Sequence, residues 1–110
     1  MFRDFDGSNG SFGNTSIRAT NSDVANASVY ASIDAGVPNR MVIVCINKSN
    51  AAMTAGIAVT HTVAFNTAQV YRLTSANSAP QQQAAISISG TNAFQYNMPA
   101  NSVTTLVLAP

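Results

Sequence analysis

The chain contains no tryptophan and no glutamate, one cysteine and one histidine, and only 8% of its 110 residues are charged. Each scarcity closes off a class of function. Asp4, Asp6, Asp23 and Asp34 are the only acids. Asp4 and Asp6 stand two apart in a glycine-rich loop with no apolar surround to raise a carboxyl pKa, so paired-carboxylate catalysis has no seat here. The single histidine, His61, excludes a histidine-clustered zinc site, and a Cys45 and His61 dyad would lack the third group that activates a nucleophile. Between Thr60 and Thr62, His61 reads as an ordinary strand-end or loop residue. Cys45 cannot form an internal disulfide; set between Val44 and Ile46 with no cation beside it, it reads as a buried thiol acting as a small hydrophobe. A net charge of +1 gives no basic field for nucleic acid and no acidic tail. No apolar run approaches the roughly 18 residues of a membrane-spanning helix. No signal peptide heads the sequence; if the protein is secreted, its export signal is expected upstream of it. At 110 residues the expectation is one domain with one modest core.

What is present is a succession of short apolar or alternating runs punctuated by Gly, Asn, Asp, Ser and Pro about every 10 to 14 residues, the spacing of an all-β sandwich. Strands are expected near Thr15 to Thr20, Ser28 to Ile33, Arg40 to Asn47, Met53 to Thr60, Ala68 to Thr74, Ala85 to Ser89, Phe94 to Met98 and Val103 to Leu108. The fold class is therefore a Greek-key or immunoglobulin-like β-sandwich of about seven to eight antiparallel strands. Asp34 to Asn39 reads as a turn, and Ser75 to Gln83 as a polar loop closed by Pro80. Ala51 to Ala58 is the one stretch where a helix competes, but Gly56 and the following Ile57, Val59 and Thr60 favour a strand.

Period-2 alternation assigns faces. Val29, Ala31 and Ile33 share one face, which turns Tyr30 outward. Tyr96 and Tyr71 are expected to point into the core. The third strand differs: Met41, Ile43 and Cys45 alternate with Val42, Val44 and Ile46, so both faces are apolar and the second must be covered by a loop, another copy or a partner domain. Leu106 and Leu108 oppose Val103 and Val107 in the same manner on the last strand. An exposed apolar patch and an unpaired edge follow as expectations, and the edge offers a route to homo-oligomers.

The chain closes on Met98-Pro99-Ala100-Asn101-Ser102-Val103-Thr104-Thr105-Leu106-Val107-Leu108-Ala109-Pro110, a proline-led strand ended by a second proline. It begins with Met1-Phe2-Arg3-Asp4-Phe5-Asp6-Gly7, leading into Phe12-Gly13-Asn14-Thr15-Ser16-Ile17. Between lie Ser28-Val29-Tyr30-Ala31, then Met41 to Ser49, then Val70-Tyr71-Arg72-Leu73-Thr74. This ordered set, over nearly the whole chain, resembles the C-terminal β-sandwich domain of family 44 glycoside hydrolases, the endoglucanases and xyloglucanases. The resemblance implies a parent in which two glutamates on a separate barrel carry catalysis. It implies that the β-domain packs on that barrel and takes in strand material from the start of the same polypeptide. Residues 1–14 then read as a lead-in loop joined to the barrel and 15–110 as a single β-sandwich domain. Phe2, Phe5, Phe12 and Tyr30 are the expected interface residues.

The expected role is a noncatalytic accessory module of a secreted, bacterial β-glucan-degrading enzyme, stabilising its barrel and not itself an enzyme. The alternative is a carbohydrate-binding module for β-glucan, xyloglucan or cellulose. Sugar-binding sandwiches stack pyranose faces on extended π surfaces, and with tryptophan absent the candidates are Tyr30 together with the polar Arg40, Arg72, Gln82 and Asn92. A third reading is a self-associating structural β-domain, which low charge and high Asn, Thr and Ala content would suit. No cofactor is expected. Asp4 and Asp6 are the one weak metal candidate, for calcium, and the spacing fails an EF-hand because Asn9 and Thr15 fall where glycine and a bidentate glutamate are required. Sequons at Asn9, Asn14, Asn26 and Asn47 are expected by chance in so Asn- and Ser-rich a chain.

Overall fold

In the computed structural model the described residues are 13, 15–17, 26–34, 37–59, 64–75, 79–88 and 92–110. They form eight strands: β1 (Thr15–Ile17), β2 (Ala27–Asp34), β3 (Val37–Asn47), β4 (Met53–Ala58), β5 (Thr67–Leu73), β6 (Gln81–Ser87), β7 (Ala93–Met98) and β8 (Ser102–Ala109). Six of these make one sheet in the order β1-β2-β3-β8-β5-β6, and β4 pairs β7 in a second. Every pairing is antiparallel. The expected β-sandwich is borne out, with the closing strand β8 inserted between β3 and β5 at the centre of the larger sheet.

The core lies between the sheets. Met41, Ile43 and Cys45 of β3, Ala68 and Val70 of β5, and Leu106 and Leu108 of β8 present one face of the large sheet, with Phe65 fully buried beside them. From the small sheet, Tyr96 and Met98 join this cluster and Met53, Ala55, Ile57 and Phe94 pack on it half-buried. Their partners in alternation, Thr54, Gly56 and Ala58 on β4 and Ala93, Gln95 and Asn97 on β7, are exposed. Each large aliphatic side chain buried this way contributes about 1.5–3 kcal/mol, which is why β3 and β8, dry over most of their length, anchor the fold.

Asn47 ties the ends of three strands together. Only 1% exposed, it donates from Nδ2 to the carbonyls of Ala51 (3.0 Å), Met98 (3.2 Å) and Pro99 (3.0 Å) and accepts at Oδ1 from the Ser49 backbone N–H (2.9 Å). The β7–β8 turn is completed by Asn101, in the left-handed region at φ 49°, whose N–H donates to the Ser49 carbonyl at 2.9 Å.

Two boundaries differ from expectation. Val37 to Asn39, read as turn, begin β3, and Gln81 to Gln83, read as loop, begin β6. Polar composition suggested loops in both places. An edge strand open to water on its outer side needs no apolar residues there, and β6 lies at the sheet edge.

Candidate functional site

The face of the large sheet turned away from the core carries the candidate site. Register places one transverse row across five neighbouring strands: Tyr30 opposite Val44, Val44 opposite Thr105, Thr105 opposite Tyr71, and Tyr71 opposite Gln82. One flanking row holds Ser32, Val42, Val107 and Gln69, and the other holds Ser28, Ile46, Val103 and Leu73. Val42 and Val44 are fully buried although they belong to this outer face, so β3 is dry on both sides as its sequence requires. Tyr30, at 49% exposure, is the one large apolar side chain left open among the described residues. An extensive exposed apolar patch is thus absent from the described part of this face.

The chain approaches this face at Gly13. Its N–H donates to the hydroxyl of buried Ser32 at 2.7 Å, and a Cβ there would stand 2.5 Å from the Ile33 carbonyl oxygen. Only glycine permits so close an approach. Gln82 Nε2 donates to Gln69 Oε1 at 3.1 Å, joining two amides beside Tyr71.

Of the residues singled out for sugar contact, Tyr30 and Gln82 lie in the central row, and Arg40 falls on the same face by alternation with Val42 and Val44. Arg72 and Asn92 do not join them. Arg72 sits on the core side, its Nε donating to the Tyr96 hydroxyl at 2.9 Å and its guanidinium 5.5 Å from the centre of that ring. The same hydroxyl meets Thr104 Oγ1 at 2.7 Å. Asn92 is buried at a positive φ of 54°, accepting the Phe65 N–H at Oδ1 (2.7 Å) and the Val59 N–H at its carbonyl (2.8 Å). Both side chains are committed to holding the sandwich.

Tyr96 does point into the core, but Tyr71 does not: it is half-buried on the outer face. The face that Tyr71 shares with Leu73 reads as the inward one, but it is the outer face, and the core side of β5 carries Arg72, which Tyr96 supplies with a hydroxyl and an aromatic face. The usable signal was Ala68 and Val70, small and β-branched residues suited to packing under the second sheet.

Phe2, Phe5, Phe12, Asp4, Asp6 and His61 lie outside the described residues. Among the described ones no group of three or more His, Cys, Asp or Glu could hold a metal ion. Burial pushes the Cys45 thiol up to about 12, leaving it neutral and unreactive.

No family model matches the chain. Endoglucanase A of Paenibacillus lautus is 28% identical over 109 residues, 98% of this chain but 16% of the enzyme. A Paenibacillus polymyxa xyloglucanase from glycoside hydrolase family 44 superposes with a TM-score of 0.94 at 29% identity, over 98% of this chain and 21% of that one. A family 44 endoglucanase from Clostridium acetobutylium does so with a TM-score of 0.94 at 30% identity, again over 98% and 21%. Fold and coverage together define the class: a small antiparallel β-sandwich of the kind carried within larger glycoside hydrolases. The resemblance drawn from the sequence to the C-terminal β-sandwich domain of family 44 enzymes is borne out by these likenesses.

Proposed function

We propose that this β-sandwich is a noncatalytic accessory module of a β-glucan-degrading glycoside hydrolase, exported by a bacterium, which packs on the catalytic barrel and stabilises it. The observation that carries the reading is coverage: nearly the whole chain aligns with family 44 enzymes while spanning 16% of the length of the first curated relative. The absence of glutamate supports it, since glycosidases of this general kind place a pair of carboxylates across the scissile bond. Residues 1–14 serve as the lead-in from the barrel, and Phe2, Phe5 and Phe12 supply apolar contacts to it. Two measurements test the reading. The isolated chain is expected to release no reducing ends from carboxymethylcellulose, xyloglucan or xylan, and release would overturn it. Deleting the module from the parent enzyme is expected to lower the melting temperature of the barrel; an unchanged melt would remove the stabilising role.

A second reading, carbohydrate binding by the module itself, is favoured by one observation: Tyr30 and Tyr71 share a row on one face of the sheet, with Gln82 at its end. Affinity electrophoresis through gels containing xyloglucan, mixed-linkage glucan, carboxymethylcellulose or xylan tests it, with retardation expected in at least one.

A further inference from the structure

On the inner side of the large sheet, register places Cys45, Thr104, Arg72 and Gln81 in one row across β3, β8, β5 and β6. Cys45 and Thr104 are buried, Arg72 is half-buried and Gln81 is exposed, so the cover given by the small sheet runs out at β5. Arg72 therefore stands at the mouth of the sandwich. Its Nε donates to the Tyr96 hydroxyl at 2.9 Å and its guanidinium lies 5.5 Å from the centre of that ring, which fixes the plane of the fork. The two Nη groups have no described partner, and no buried side-chain nitrogen or oxygen among the described residues goes without one, so both Nη groups open to solvent. No carboxylate stands beside them among the described residues, where the one acid, Asp34, lies on β2, three strands away.

A guanidinium held flat with its N–H groups turned outward matches a carboxylate, which accepts two parallel hydrogen bonds from it. Being fixed beforehand, it gives up little freedom on binding. The neighbours narrow the source of that carboxylate. Gln81, opposite Arg72, and Gln83, opposite Val70, share its side of the sheet. Each donates its amide N–H to a nearby backbone carbonyl, at 3.3 Å and 3.4 Å, which leaves both Oε1 atoms open to accept. A carboxylate has no proton for those oxygens, whereas a sugar hydroxyl has. An Asp or Glu side chain of another domain would use the guanidinium alone; a uronic acid uses all three groups. We propose that Arg72, flanked by Gln81 and Gln83, binds the carboxylate of a uronic acid unit in an acidic polysaccharide. The inference rests on the carbohydrate-binding reading above and adds a contact of different chemistry on the opposite side of the sheet from the tyrosine row.

The test is affinity electrophoresis of the whole chain in gels containing glucuronoxylan, beside gels containing the same polysaccharide after reduction of its carboxyl groups. Retardation is expected in the first and not in the second. Arg72→Gln is expected to weaken it roughly tenfold or more, and Arg72→Lys, which keeps the charge but not the planar fork, nearly as much. Gln81→Ala, an exposed change that leaves the Tyr96 contact alone, is expected to weaken it about threefold and keeps the test decisive if the arginine variants fail to fold. Lys48→Gln removes the same charge from an exposed position after β3 and is expected to change nothing. Equal retardation in the reduced polysaccharide overturns the uronate while leaving carbohydrate binding in place. Loss in Lys48→Gln as large as in Arg72→Gln overturns the site in favour of general charge attraction, and a folded Gln81→Ala that binds like the parent chain overturns the part given to the amides. Unchanged mobility here and in the neutral gels overturns both readings and leaves Arg72 to an acidic side chain of a neighbouring domain.

Discussion

At the scale of single residues, the side chains that decide this fold are polar ones placed where no water reaches. Tyr96 accepts from Arg72, which leaves its own proton free to donate to Thr104. Tyr96→Phe removes the shared atom and leaves a half-buried guanidinium and a buried hydroxyl without it. A loss of about 1–3 kcal/mol is expected, read from chemical denaturation. Cys45 presents the opposite case, a titratable group kept neutral by burial. Its folded-state pKa is raised from 9.0 to about 12, so the stability linked to it is fully present below pH 9 and is lost as pH rises toward 12. Denaturation midpoints are expected to fall over that window in the parent chain and to fall less in Cys45→Val. The native thiol is also expected to resist alkylation at pH 8 until the chain is unfolded.

At the scale of elements, strand existence is written in the alternation and strand ends are not. The doubly apolar run of β3 and the proline-bounded β8 could be placed from residues alone, because β-branched and aliphatic side chains on both faces fit only central strands. The polar start of β6 could not, since an edge strand has a wet side and reads like loop. The face of Tyr71 is not legible either: sharing a side with Leu73 reads as inward, and nothing in the sequence shows that Arg72, on the opposite side, is received in the core by an aromatic from another sheet. Element ends also explain Asn47, whose place at the end of an apolar run and in a chance sequon says nothing of the carbonyls it meets. Asn47→Ala leaves the carbonyls of Ala51, Met98 and Pro99 and the N–H of Ser49 short of a partner. The expected cost is about 2–4 kcal/mol. Hydrogen exchange should show the loss first in the amides of residues 48–52 and 99–101, and uniform loss across the sheet would argue against a local hub.

At the scale of the whole molecule, the described residues form an unequal sandwich, six strands against two, and this partition is invisible to a reading of periodicity because pairing across long sequence separations leaves no local mark. The inequality has an energetic consequence. A two-stranded sheet is marginal by itself in water, so β4 and β7 owe their order to packing on β3, β5 and β8. Met53, Ala55, Ile57 and Phe94 are only half-buried in doing so. The buried Tyr96 and Met98 then carry much of the attachment. If that packing is the only support, the small sheet cannot outlive the core beneath it. Leu106→Ala, at the centre of the large sheet and fully buried, is expected to cost about 2–5 kcal/mol and to speed amide exchange in β4 and β7 as much as in β8. Exchange in β4 and β7 that stays at the parent rate while β8 opens would mean that the small sheet has support other than the core, and the sandwich would then be two units instead of one.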